Sequence, residues 1–492
     1  MSLQDAAIAA NRFGLGARPG DLAVIAADPR GWLKAQLTPE TSPPAPIATL
    51  PTTAAALRTY STWRESLGRA GSETQGRQMQ GRGVGMQMGA GRMNAAGSVE
   101  ASYARAFFPD YQAAVAARIK AATTTDRPYF ERLVRFWGNH FTVSASKPAA
   151  IGLCPLFERD VCRSHAVGGF RDLLLASSKH PGMLVYLDNY LSIGPSSAAA
   201  KNPGLLPALV RARLTGLNEN YGREVLELHT MGVRSGYTQA DVTSLAKIMT
   251  GWTVHYGGGL FDHPGQGGAD AAPEFRFAAL AHEPGPQTVL GKVYAEDGLA
   301  QGEAALSDIA AHPATSTHIA TKLVRHFVAD DPPPAAVERI ARVFRDTGGN
   351  LQAVSVALVD LPEAWAPAPA KMKPPEDYLV SAIRAMRGPQ LSGQQFVAIL
   401  DRMGQRPYYA KDPNGWPDVE KDWIGPDALW KRVEWADAVG KAVGNSVFDP
   451  SLLAEQVLGP DVTPATRKAI SQAETPAQGL ALLLVAPEFQ RR

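Results

Sequence analysis

The stretch Asn218-Glu219-Asn220-Tyr221-Gly222-Arg223-Glu224-Val225-Leu226-Glu227-Leu228-His229 carries the densest set of chemistry-bearing side chains in the chain. Wound as an α-helix at about 100° per residue, it sets Asn220, Glu224 and Glu227 on one narrow stripe. Tyr221, Val225 and Leu228 fall together on an apolar stripe. Two carboxylates at i and i+3, with an amide one turn earlier, are suited to holding a cation or sharing a proton. The same pattern describes an amphipathic helix with its polar side in water, where Arg223 pairs with Glu219 and Glu227. His229 winds to the opposite side and no Glu-x-x-His motif is present, which counts against a ferritin-like di-metal centre.

His140 is the most informative histidine. On its helix it falls with Leu133, Phe136 and Trp137, away from Glu131, Arg135 and Asn139. An imidazole on an apolar face needs a partner, because an unsatisfied buried polar group costs about 1–3 kcal/mol. A carboxylate, a backbone carbonyl or a metal ion would serve. If the polar stripe turns inward and faces His140, a helix-borne carboxylate/histidine site results, of the kind that holds iron or manganese in helical bundles. Glu224, Glu227, His140 and Asn220 are then the candidate catalytic residues. Glu224, Glu227 and His140 are the candidate ligands of a divalent metal ion. His180, Asp188 and Asn189 form a second polar set, although Asp188-Asn189 also reads as a helix cap or break. His282 sits in a Gly/Pro-rich stretch, either closing over a pocket or lying on the surface. No Gly-x-Ser-x-Gly elbow supports a Ser-His-Asp hydrolase.

These residues ride on a succession of helices. Residues 4–37 read as two helices broken by Gly14-Leu15-Gly16-Ala17-Arg18-Pro19-Gly20, a glycine spacing that lacks the strand of a phosphate loop. Residues 69–98, rich in Gly, Gln, Met and Arg, cannot bury a face and read as a disordered insertion. Met79, Met86, Met88 and Met93 within it would suit a soft metal, against the simpler reading of a linker. From Val99 to Thr253 the pattern is helical: Asp126-Arg127-Pro128 opens the helix that carries His140, and Thr238 with Asp241 resembles a capping box. Residues 255–294 change to glycine, proline and short alternating runs, a small β-hairpin or irregular flap. Helices then resume to residue 492, with Trp416, Trp423, Trp430 and Trp435 crowding the last third. Three apolar runs end on proline, at His180-Pro181, Leu361-Pro362 and Ala486-Pro487, a recurrent helix stop.

Composition narrows the function classes. Lys+Arg 49 against Asp+Glu 47 leaves a formal charge of +2, so no basic excess points to nucleic acid. Two cysteines, Cys154 and Cys162, exclude a disulfide framework and a cysteine-based zinc site. No run approaches the roughly 18 apolar residues of a membrane span. Met1-Ser2-Leu3-Gln4-Asp5 shows no export signal, which by sequence implies the cytoplasm.

Several segments together resemble one bacterial family, the domain-of-unknown-function family 1800. They are Asn11-Arg12-Phe13-Gly14-Leu15-Gly16, Phe136-Trp137-Gly138-Asn139-His140-Phe141, His180-Pro181-Gly182 through Asp188-Asn189, Asn218 to Gly232, Gly236-Tyr237-Thr238 through Thr250-Gly251-Trp252, and His282-Glu283-Pro284-Gly285 through Gly291. The resemblance implies a mostly helical bacterial protein, often exported and often encoded beside a sulfatase-like partner. Where members often show a second histidine, this chain has Gly138, so a two-histidine site there is incomplete.

The expected architecture is all-α, a multi-helix body with a small β-hairpin or irregular flap. Its segments are 1–68, the insertion 69–98, a central region 99–254 with the candidate site, the flap 255–294, and a last helical region 295–492 packed with the central one. The expected function is that of an enzyme with a carboxylate/histidine site. The alternative is a non-catalytic scaffold that docks onto a partner, such as a sulfatase-like protein, through an exposed apolar patch.

Overall fold

The computed structural model describes residues 2–63, 90–205, 216–255, 274–369, 371–388, 391–444 and 449–492. These form a mostly helical body with two small antiparallel sheets of two strands each. Helix after helix opens on a proline, whose fixed φ is already helical and whose missing N–H is not needed in the first turn. Pro128–His140, Pro313–Phe327, Pro375–Met386 and Pro426–Val443 all start this way. The residue before each proline is pushed out of the helical region, so the same proline also stops the preceding helix. His180, Leu361 and Ala486 sit at ψ 132°, 122° and 138°, ending Phe170–Lys179, Leu351–Asp360 and Pro476–Val485.

The Pro128–His140 helix runs through the middle of this packing. Its N-cap is Arg127, not Asp126, which is exposed and pairs with Arg18 instead. Tyr129 meets Phe13 edge-on at 5.5 Å and Phe327 at 5.6 Å, and Trp137 lies 6.1 Å from Phe170. Its polar side is not in water: Glu131, Arg132 and Arg135 are 1%, 2% and 7% exposed. Neighbouring elements enclose most of this helix, so its charges answer to partners within the fold.

The N-terminal glycine turn is one such partner. Gly14 and Gly16 donate their N–H groups to Ala9 and Ala10 carbonyls at 3.0 and 2.9 Å, leaving none to cradle a phosphate. Their own carbonyls accept from Arg132 Nε at 2.6 Å and Arg384 Nε at 2.8 Å. Gly16 has φ +97°, and a Cβ there would stand 2.6 Å from the Ser381 Cβ.

The flap contains two strand pairs where one hairpin was expected. Trp252–Val254 pairs with Phe275–Phe277, Trp252 opposite Phe277, and Gln287–Val289 pairs with Lys292–Tyr294 across Leu290 and Gly291. Both turn residues have positive φ, as a two-residue hairpin requires. Residues 256–273 of the flap lie outside the described residues. So do residues 69–89, with Met79, Met86 and Met88; the Ala90–Thr124 helix takes in the rest of the low-complexity stretch.

The capping box is present: Thr238 N donates to Asp241 Oδ2 at 2.7 Å and Asp241 N to Thr238 Oγ1 at 3.3 Å. Cys154 and Cys162 are buried free thiols, their pKa values raised by burial. Trp416 packs 6.3 Å from Trp423 and Trp435 5.4 Å from Tyr378, whereas Trp430 is 61% exposed. Among the described residues no helix is long and apolar enough to cross a membrane.

The Gly16 turn gives a direct test of this packing. Gly16→Ala is expected to cost about 2–4 kcal/mol, from a strained backbone and an overpacked contact. Urea unfolding measures it, and a loss below about 0.5 kcal/mol would show that the turn moves away from Ser381 at little cost.

Candidate functional site

The C-terminal half of the Pro128–His140 helix forms one wall of a cavity of about 720 Å³. The other walls are Lys322, Arg325 and His326 from Pro313–Phe327, Glu376 and Asp377 from the start of Pro375–Met386, and Arg118 from Ala90–Thr124. A loop from Gln405 to Trp423 borders it. Asn139 holds that loop at two points, donating from Nδ2 to the Trp416 carbonyl at 2.9 Å and accepting from Trp416 N at 2.7 Å. Ala145 N donates to the Tyr408 carbonyl at 2.6 Å, Ser144 Oγ to the Ala410 carbonyl at 2.7 Å, and Tyr111 to the Pro407 carbonyl at 2.7 Å.

The wall carries a network of buried ions, backed by Glu158. Arg132 Nη1 is 2.7 Å from Asp377, and Arg135 Nη1 is 3.2 Å from Glu376. Arg118 bridges Glu376 at 3.1 Å and Glu158 at 3.2 Å. Asp377, against the pull of burial, is held far below the usual carboxylate range by Arg132, Arg492 and Arg135. Burial pushes Glu158 up in spite of Arg118. The Arg135 Nε and Nη2 atoms have no hydrogen-bond partner. Among the described residues Lys322 makes no ion pair or hydrogen bond. Burial lowers its pKa to about 8, with Asp418 opposing and Arg325 adding.

His326 donates from Nδ1 to Asp418 Oδ2 at 2.7 Å, and its Nε2 lies 3.5 Å from Arg492 Nη1. Burial lowers His326 to about 4, with Asp418 opposing, so it is neutral near pH 7. The same burial would raise Asp418, but His326, Lys371 and Arg492 hold it down.

His140 is buried at 1% exposure and lines the cavity. Its Nε2 stands 3.0 Å from the His229 carbonyl, which can only accept, so Nε2 carries the proton and Nδ1 keeps a free lone pair. Burial holds this ring well below its ordinary pKa. His318 makes the parallel contact, Nε2 to the Leu228 carbonyl at 3.2 Å.

The partner of His140 is therefore a backbone carbonyl, supplied by the histidine that the winding had set on the far side. The helix Glu219–Glu224 passes into a π-helical turn, Val225–His229, whose wider winding breaks the 100° spacing after Glu224. His229 turns inward, 5.1 Å from the Phe141 ring and 6.5 Å from His140. Asn220 is exposed, and Glu224 and Glu227 are half-buried. Arg223 pairs with Glu227 at 3.4 Å and Glu219 at 4.0 Å, and burial together with Glu227 raises the Glu224 pKa. None of the three lines the cavity. Among the described residues no three His, Cys, Asp or Glu side chains gather so as to hold a metal ion, and His140, Glu224 and Glu227 are not brought together as one.

The secondary candidates hold structure together. His180 caps Pro181–Tyr186, Nδ1 accepting from Gly182 N at 3.0 Å, and its Nε2 lies 3.7 Å from Asp160. Asp188, at φ +59°, ends that helix and pairs with Lys147 at 2.5 Å. Asn189 is buried and donates to the Met249 and Trp252 carbonyls at 3.0 and 3.2 Å. His282 is neither lid nor surface: it is buried, Nδ1 3.0 Å from the Thr250 carbonyl, and fastens the flap to the preceding helix. A Cβ at Gly138 would stand 2.9 Å from Glu158 Oε2, in the cavity wall.

Lys322, His326, Glu376, Asp377 and Asp418 escape the sequence reading. The only signals were Lys322 and His326 one turn apart on one helix, and Asp418 in the Gly/Pro/Trp loop that held attention for its tryptophans.

Four histidines in and around this wall are held below the ordinary 6.5 by burial: His140 well below, His229 to about 3, His318 and His326 to about 4. Unfolded, all four take up protons near pH 6.5, so the unfolded state binds more protons and stability falls as pH drops from 6.5 toward 4. The expected slope approaches about 1.4 kcal/mol per pH unit for each histidine. His318→Gln should lessen it by about one proton in acid unfolding followed by urea titration; an unchanged slope would mean His318 is already charged in the fold.

No curated protein and no solved structure matches the chain. The family model described as "Protein of unknown function (DUF1800)" matches residues 8–491, and the chain belongs to that family.

Proposed function

We propose that this chain is an enzyme whose active site is the cavity at the end of the Pro128–His140 helix, with the His326–Asp418 pair as its acid–base element. The observation that carries the reading is the 2.7 Å contact from His326 Nδ1 to Asp418 Oδ2 in the wall of a cavity of about 720 Å³. A carboxylate on Nδ1 fixes the tautomer and leaves Nε2 as the proton acceptor, against the opposing charge of Arg492 at 3.5 Å. The volume falls in the usual range for small-molecule sites, about 300–1,000 Å³. His140, with its free Nδ1 lone pair, is a second proton acceptor in the same wall. The expected carboxylate/histidine chemistry thus keeps His140 and takes its carboxylate from Asp418, with the Glu224/Glu227 stripe outside the lining.

A second reading, a scaffold that docks onto a partner such as a sulfatase-like protein, has one observation in its favour. Ile424, Trp430 and Val433 are exposed at 40%, 61% and 39% around the start of one helix.

The test is turnover by the full chain of a metabolite extract, followed by mass spectrometry. The wild type is expected to consume at least one species, and His326→Gln to slow that consumption by about 10²-fold or more while keeping its melting temperature. Equal turnover by both proteins would remove the His326 role, and no turnover by the wild type would favour the scaffold.

A further inference from the structure

The charges of the cavity do not cancel. Arg118, Arg132, Arg135, Lys322 and Arg325 stand in the wall against Glu376, Asp377 and Asp418, while Lys411, Asp412 and Asp422 are exposed at the rim, where water screens them. Immediately behind, Lys371 pairs with Asp330 and also lies 3.6 Å from Asp418. Arg492 lies 3.5 Å from Asp377, and Glu158 balances Arg118. Five cations against three anions in the wall leave two positive charges over, and the ions immediately behind, Lys371, Lys373 and Arg492 against Asp330 and Glu158, do not cancel that excess.

The excess is localised. Arg132 and Arg118 each meet carboxylates, and Arg135 meets Glu376 at 3.2 Å through Nη1, while its Nε and Nη2 have no hydrogen-bond partner in a residue only 7% exposed. Among the described residues Lys322 has no partner at all, one turn before His326 on the same helix. A half-buried cation without a counter-charge and a buried guanidinium with two unpartnered nitrogens are costly, and a protein retains them where something else supplies the partner. Phe136, Tyr408, Trp416 and Trp423 complete the lining, so the cavity joins a cationic end to aromatic walls.

We infer that the cavity binds a small molecule through an oxyanion group, a carboxylate or a phosphate, with Lys322 and Arg135 as its charge partners. The inference takes the cavity as the site proposed above but does not depend on the His326–Asp418 pair.

Calorimetry and tryptophan fluorescence of the full chain, read from Trp416 and Trp423 in the wall, test it with three probes: inorganic phosphate, succinate, and succinamide as the uncharged counterpart. Phosphate or succinate is expected to bind saturably and succinamide not at all, and which anion binds identifies the group. Lys322→Met should weaken the binding by about tenfold or more. Binding of the wild type should also weaken between pH 7 and 9, as Lys322 loses its proton near 8. Lys322→Met folds as well as the wild type if its melting temperature is unchanged; if it does not fold, the pH profile and the succinamide control decide. Equal binding of succinamide, or no binding of either anion, overturns the inference. Anion binding without turnover would leave this inference standing and remove the enzyme reading; turnover without anion binding would do the reverse.

Discussion

Asp377 touches Arg132 and Arg492 and lies within reach of Arg135, and its neighbour Glu376 is shared by Arg135 and Arg118. Removing such ions from water costs several kcal/mol each, recovered only where every charge meets a partner at short range. That constraint fixes how the distant parts of the chain meet. Arg132 must also reach the Gly14 carbonyl, so the N-terminal turn is pinned against the central helix. Arg492 must reach Asp377 and Asp418, so the last residues thread in beside Lys371 and Lys373. Arg384, buried in the same way, reaches Gly16 and the end of the long helix. Apolar burial supplies the bulk of the stability, but it is not directional. The ions decide which surfaces face each other.

Much of the fold was legible because it depends on local rules. Proline stops such as His180-Pro181 and Leu361-Pro362 work through sterics between adjacent residues, and the Thr238–Asp241 capping box through a four-residue loop of hydrogen bonds. The aromatic stripe of Phe130, Leu133 and Trp137 is buried as its spacing requires. The burial of the other side of that helix was not legible, for a physical reason. Glu131 and Arg135 look like a solvated face, and their burial is set by Arg163 and Glu376, residues 32 and 241 positions away, which no local pattern encodes.

The site was legible in part. His140 stands in the cavity wall, and the need of its ring for a partner followed from its apolar face. Which partner it took did not follow, because a π-helical turn at Val225–His229 rotates everything after Glu224 and no residue there announces it. Two of the three π turns in the described residues supply groups to this wall or its backing, the His229 carbonyl and Glu158, and such turns often occur where a helix is bent to position chemistry. The remaining residues, Lys322, His326, Glu376, Asp377 and Asp418, come from three separate stretches that only tertiary packing unites.

The Gln405–Trp423 loop is fastened to Asn139, Ser144, Ala145, Tyr111 and Glu376 by hydrogen bonds to its backbone and to Gln405. Because the two bonds from Asn139 share one amide, the Trp416 peptide cannot leave without breaking both. Displacing that stretch therefore breaks both bonds together. Because Trp416, Asp418 and Trp423 of this loop also line the cavity, the bonds that fasten the loop also hold that part of the wall in shape.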